Sequence, residues 1–135
     1  MATSSSSTGV DKLKNKLRAL VVDDNRMIRL YMVSLLKKAN VEAEVAEDGK
    51  AAVNCFLQGK TYDIILMDKD MPQMDGVQAT RILREMGVKT KIVGVTSHST
   101  EEEKREFLEA GLDDFFVKPL TSPQLIELLK DVGNK

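Results

Sequence analysis

Tyr62-Asp63-Ile64-Ile65-Leu66-Met67-Asp68-Lys69-Asp70-Met71-Pro72-Gln73-Met74-Asp75-Gly76 is the stretch on which the reading of this chain turns. Its apolar run, Ile64 to Met67, has the length and composition of a buried strand. It ends abruptly on a carboxylate, and the charged residues, proline and glycine that follow break any regular element. Asp68 is therefore expected at a strand's carboxyl end. In open α/β sheets the crevice beyond those ends is where ligands bind. Taken alone, an acidic residue here can equally begin a solvated loop, and the rest of the chain decides between the two.

Length and composition narrow the choice. A chain of 135 residues is expected to form one domain with a real core and no need of disulfides or structural metal. Cys55 is the sole cysteine, which excludes a disulfide scaffold and suits a reducing compartment, cytoplasm and nucleus both being open. Lysine and arginine number 20 against 21 aspartate and glutamate, a net charge of −1, so no electrostatic footprint for nucleic acid or an anionic membrane is present. No apolar run approaches a membrane span. The opening Met1-Ala2-Thr3-Ser4-Ser5-Ser6-Ser7-Thr8-Gly9 lacks an apolar signal region. Residues 1–11 are read as a disordered polar tail and residues 12–135 as the folded domain.

Taken in order, Ala19-Leu20-Val21-Val22 is a second short apolar run, ending on Asp23-Asp24. Asp24 or Asn25 is placed to cap a helix whose buried face is read as Met27, Ile28, Tyr31, Met32, Leu35 and Leu36. Val41 to Ala46 alternates as an edge strand. Asp48-Gly49 opens a helix with Ala52, Val53, Phe56 and Leu57 inward, stopped by Gly59. After the organising strand, a helix from about Val77 to Met86 turns Ala79, Ile82, Leu83 and Met86 inward and closes at Gly87. Thr90 to Thr96 is the fourth strand, with Gly94 marking close backbone packing. Thr100-Glu101-Glu102-Glu103 has the capping-box pattern, and the charged helix after it offers only Phe107, Leu108 and Ala110 as an apolar face. Asp113 to Lys118 is the fifth strand, and Ser122-Pro123 begins the last helix, with Leu125, Ile126, Leu128, Leu129 and Val132 facing in. Strands alternating with helices through short right-handed crossovers require a parallel sheet covered on both faces. Lys135 follows the last helix almost at once, so no output domain is expected.

Four strands now end on reactive residues: Asp23 with Asp24, Asp68, Thr96 with Ser97, and Lys118. Each placement alone is ordinary turn or cap composition. Together on one sheet edge they put three carboxylates, a hydroxyl and an ammonium into one crevice. Clustered carboxylates repel unless a cation joins them, and an all-oxygen set with room for water favours Mg²⁺. The lysine and hydroxyl, with nearby backbone N–H groups, suit a tetrahedral dianion. A carboxylate between metal and lysine is a nucleophile for phosphoryl transfer. His98 is the sole histidine, which leaves no Ser-His-Asp or Cys-His arrangement in play.

With Val21-Val22-Asp23-Asp24-Asn25, Met67-Asp68, Met71-Pro72, Met74-Asp75-Gly76, Thr96-Ser97, and Phe115 with Val117-Lys118-Pro119 in this order, the chain resembles the receiver domain of two-component response regulators over about residues 18 to 132. The resemblance implies a flavodoxin-like (βα)5 fold, a doubly wound parallel sheet of strand order 2-1-3-4-5. It implies Asp68 as phosphoacceptor, with Mg²⁺ held by Asp24, Asp68 and the backbone carbonyl of Asp70, and with Asp23 acting through water. Lys118 and Thr96 would bind phosphoryl oxygens. Phosphorylation would draw Thr96 inward and let Phe115 follow, and the Lys118–Pro119 bond would be cis. A lone receiver with a polar tail and Asp68-Lys69-Asp70-Met71-Pro72 is most similar to the plant type-C regulators, which also resemble hybrid-kinase receivers, a bacterial single-domain regulator being the alternative.

That resemblance sets the functional expectation: a monomer that takes a phosphoryl group from a histidine-containing phosphotransfer protein or histidine kinase and loses it to water, a phosphohistidine phosphatase or sink. The alternative is a phosphorylation-switched adaptor. A haloacid-dehalogenase-like phosphohydrolase fares poorly, because its aspartate pair follows the first strand and Pro72 stands where threonine or valine belongs. Two residues depart from the commonest receiver pattern, Asp70 and His98, and both are expected near the water's route to the phosphoryl group. Asp70 is read as a modulator of hydrolysis, His98 as an exposed rim residue, and Cys55 as a small hydrophobe.

Overall fold

The computed structural model describes residues 16–97 and 100–133. The readings placed on residues 1–11, His98 and Lys135 lie outside them. Five strands, β1 (Arg18–Val22), β2 (Glu42–Ala46), β3 (Ile64–Met67), β4 (Lys91–Thr96) and β5 (Asp114–Val117), alternate with α1 (Arg26–Lys38), α2 (Gly49–Leu57), α3 (Gly76–Glu85), α4 (Glu101–Glu109) and α5 (Ser122–Gly133). The sheet is parallel, in the order β2-β1-β3-β4-β5. This is the expected fold.

The period-two alternation of the strands divides the core. Leu20, Val22, Ile65, Met67 and Ile92 point to one face, where Ala52 and Val53 of α2, Ala79 and Leu83 of α3 and Phe107 of α4 cover them. Ala19, Val21, Ile64, Leu66, Val93 and Val95 point to the other, beneath Met32 and Leu36 of α1 and Leu125 and Leu128 of α5. All four residues of β3 are buried, as a central parallel strand requires. Burial of each such large aliphatic side chain contributes about 1.5–3 kcal/mol. The edges differ: β2 exposes Glu42 and Val45, half-covers Ala43 and Glu44 and buries only Ala46, and β5 is half-covered.

Several helix faces are narrower than their apolar content suggests. Met27 (70%), Leu57 (67%), Ile126 (45%), Met86, Tyr31 and Leu108 are exposed, against the expectation that they face inward. A helix lying on a sheet buries a limited arc, and in α1 that arc is centred on Met32 and Leu36. Tyr31 instead donates its hydroxyl to the carbonyl of Leu120, 2.8 Å away. At α5 the cap is Thr121, one residue before the expected Ser122. Gln124 N–H donates to Thr121 Oγ1 at 3.3 Å and Thr121 N–H to Gln124 Oε1 at 3.0 Å, the reciprocal pairing of a capping box. Gly59 and Gly87 do adopt the left-handed φ of +88° at the ends of α2 and α3. A Cβ on Gly94 would stand 2.6 Å from Leu112 Cδ1 and 2.9 Å from Phe107 Cε2, so this glycine serves close packing as expected. Cys55 is half-buried and packs against the core.

Candidate functional site

Strand pairing continues one residue past the ends of β1, β3 and β5, and this fixes the backbone of the site. Asp23 N–H donates to Ala46 O (3.1 Å), Asp68 N–H to Val22 O (2.8 Å) and Lys118 N–H to Thr96 O (2.7 Å). Asp23, Asp68 and Lys118 thus stand on one sheet edge beside Thr96, the last residue of β4. The turn after β1 is held by Asn25, whose Oδ1 accepts the Met27 and Ile28 N–H groups and starts α1. Asn25 N–H in turn donates to Asp23 Oδ1 at 2.9 Å, and Arg29 donates to the Asp23 carbonyl at 2.7 Å.

Beyond Asp68 the chain turns under α3. Gly76 N–H donates to Lys69 O at 2.8 Å, and a Cβ on Gly76 would lie 2.1 Å from the Asp68 carbonyl oxygen. No side chain fits between these backbones. Asp75 then caps α3 in a reciprocal box with Gln78.

In the crevice, Lys118 Nζ lies 2.6 Å from Asp23 Oδ2 and 3.2 Å from Asp68 Oδ1. Both carboxylates are buried, while Asp24 is exposed. Carboxylate oxygens of Asp23, Asp24 and Asp68 lie within 4.8 Å of one another. Three carboxylates against one ammonium leave the crevice short of positive charge. Burial, then the neighbouring Asp23 charge, pushes the Asp68 carboxyl up to about 6, with Lys118 only partly offsetting them. Burial draws the Lys118 ammonium down, but its bond to Asp23 and the charge of Asp68 outweigh this and raise it. An oxygen-only, charge-deficient cluster open to water on the Asp24 side fits a small hard divalent cation such as Mg²⁺.

Thr96 is fully buried. Phe115 is half-buried, packs edge-on to Phe107 with ring centroids 6.2 Å apart, and carries Lys104 Nζ 5.4 Å above its ring. The Lys118–Pro119 peptide is cis, as expected. Asp70 is exposed, and its Oδ1 meets Lys69 Nζ at 3.1 Å. His98 lies outside the described residues.

Lys69 was not singled out by the sequence, yet it is buried, an uncommon environment for lysine. Its ammonium also reaches Glu103 Oε2 of α4 at 3.3 Å. Burial lowers the tendency of Lys69 to hold its proton, but the two carboxylates outweigh it and the ammonium is favoured. Glu103 is held below the usual carboxylate range, first by its bond from the Thr100 backbone and then by Lys69. Glu103 stands 34 residues beyond Lys69 in the chain, a separation at which no local pattern betrays the contact. Arg29 was missed for the opposite reason: on α1 it reads as a plain solvent-facing charge.

A βα sheet that gathers carboxylates, a buried threonine and a lysine at its carboxyl edge defines a receiver, and the family model for the response regulator receiver domain matches residues 19–130. The chain belongs to this family. It is 49% identical over 116 residues to two-component response regulator 24 of Arabidopsis thaliana, covering 86% of this chain and 84% of that one. Against two-component response regulator ORR41 of Oryza sativa subsp. japonica it is 41% identical over 115 residues, covering 83% and 91%. Among solved structures it is similar to the receiver domain of the Francisella response regulator 1452, with a TM-score of 0.79 and 28% identity, over 88% of this chain and 98% of that one. The chain is a receiver of two-component signalling. Among the described residues no helix is long and apolar enough to cross a membrane.

Proposed function

We propose that Asp68 accepts a phosphoryl group from the phosphohistidine of a histidine-containing phosphotransfer protein or histidine kinase, and that water then removes it, making the protein a phosphohistidine phosphatase or phosphate sink. The supporting observation is the bridge from Lys118 Nζ to Asp23 Oδ2 and Asp68 Oδ1 at 2.6 and 3.2 Å within a three-carboxylate crevice.

In the transfer step a carboxylate oxygen of Asp68 attacks phosphorus, an O–P bond forms, and the P–N bond to the donor imidazole breaks. The electron pair stays with the imidazole, and the acyl phosphate remains on Asp68. Lys118 neutralises charge on the transferring group, and the Thr96 hydroxyl donates to a phosphoryl oxygen. Asp23, Asp24 and Asp68, with the backbone carbonyl of Asp70, would hold Mg²⁺, which would supply further charge neutralisation at the transferring group. In the second step water attacks phosphorus, the O–P bond to Asp68 breaks, and inorganic phosphate leaves with the carboxylate restored. Asp70 orients or deprotonates that water.

A time course with a radiolabelled histidine phosphotransfer protein and Mg²⁺, beside an Asp68→Asn control, tests this. Label lost from the donor and released as free phosphate is the expected result. Label that stays on the receiver instead supports an adaptor, and no transfer to the parent protein overturns the proposal.

A further inference from the structure

Lys69 is flanked in sequence by the acceptor and by Asp70, but its ammonium belongs to neither strand nor crevice. It lies 3.1 Å from Asp70 Oδ1 and 3.3 Å from Glu103 Oε2, with a side chain only 10% exposed. Glu103 divides its oxygens: Oε1 accepts from Thr100 N–H at 2.9 Å, closing the cap of α4, and Oε2 is given to Lys69. The first residue past the acceptor is thereby tied to the first turn of α4. That helix has few other anchors, since Phe107 is its one buried residue. An isolated exposed ion pair contributes little, but here the lysine is buried and joins two carboxylates from separate elements.

We infer that Lys69 is a positioning residue that holds the Asp70 carboxylate toward α4, so that the lifetime of the phosphoryl group on Asp68 depends on where the first turn of α4 sits. The inference rests on the phosphoacceptor reading of Asp68. While the clamp is closed, the Asp70 carboxylate is engaged by an ammonium, which reduces its capacity to orient or deprotonate the water. A change that moves α4 or occupies Glu103 releases Asp70 and shortens the lifetime. Bound partners on α4 would thus act on hydrolysis without touching the crevice.

The test measures loss of label from purified phosphorylated protein, with Mg²⁺, for the parent, Lys69→Met, Lys69→Arg and Glu103→Gln, each also in an Asp70→Asn background. Lys69→Met is expected to speed loss about fivefold, the scale of one ion pair, and Glu103→Gln to speed it less. Lys69→Arg is expected to restore the parent rate. In the Asp70→Asn background both effects should vanish, which a merely structural role for Lys69 would not produce. Rates unchanged by Lys69→Met, or changed equally with and without Asp70, overturn the clamp. A parent protein that takes up no label overturns the phosphoacceptor reading and the clamp with it, an outcome distinct from the other two.

Discussion

Lys118 Nζ stands 2.6 Å from Asp23 Oδ2, closer than the 3.2 Å that separates it from Asp68 Oδ1. The lysine is thus drawn toward Asp23 more than toward the proposed acceptor Asp68, and it shields both. Lys118→Met leaves two buried carboxylates facing each other without a counter-charge. Removing a preorganised charge of this kind costs on the order of 10²-fold in rate. Phosphoryl uptake by the variant should fall by about that factor, measured as initial label transfer at saturating Mg²⁺.

The raised Asp68 carboxyl gives a pH dependence with a definite sign. With the folded value near 6 and the ordinary value 3.8, the folded state holds the proton more tightly than the unfolded chain does. The stabilisation is full below the ordinary value and is lost as pH rises through 6. Above that, the ionised Asp68 destabilises the metal-free protein. Asp68→Asn should therefore raise metal-free stability at pH 8 by about 1–2 kcal/mol after allowance for screening at the open crevice. The gain should shrink at pH 5 and on adding Mg²⁺. Urea midpoints in chelator at the two pH values check this, and an equal gain at both contradicts it.

Two glycines make a graded comparison. At Gly76 an added Cβ meets the Asp68 carbonyl oxygen at 2.1 Å, backbone against backbone, whereas at Gly94 it meets the Leu112 and Phe107 side chains at 2.6 and 2.9 Å. Gly94→Ala should cost about 1–3 kcal/mol, as overpacking does, and leave uptake measurable. Gly76→Ala should cost more and abolish uptake, because the backbone of Asp68 must move. Denaturant midpoints and label transfer separate the two.

Thr80 on α3 is fully buried, and its Oγ1 is the one buried side-chain polar atom among the described residues with no hydrogen-bond partner. A buried hydroxyl without a partner costs about 1–3 kcal/mol. Thr80→Val should raise stability by about 1 kcal/mol, read as a higher urea midpoint with unchanged slope.

The sequence made the sheet and its reactive edge legible because both follow from local rules. An apolar run that stops on a carboxylate places Asp68 and Asp23 at strand ends, and five strands alternating with helices require a parallel sheet covered on both faces. The strand order was implied by the resemblance to receivers. The Thr100–Glu103 capping box was legible for the same reason, since its partners are one helical turn apart. What could not be read is set by tertiary geometry. Met27 and Tyr31 share the helical period of Met32 and Leu36, and the placement of α1 on the sheet decides which are covered. Thr121 and Ser122 are both sound caps, and the choice fell to the residue whose third neighbour is Gln124. Lys69 has no local pattern at all, because the contact it makes depends on an acid of α4.

Whether Asp68 carries the phosphoryl group is read most directly by reductive trapping. Protein phosphorylated by a labelled histidine phosphotransfer protein with Mg²⁺ is treated with borohydride, which reduces an acyl phosphate to an alcohol, and the modified position is read by peptide mass spectrometry. The expected result is reduction at position 68 alone, which should be lost in Asp68→Asn. Reduction at Asp23, Asp24 or Asp70, or phosphorylated protein with no reduced carboxylate, would contradict it.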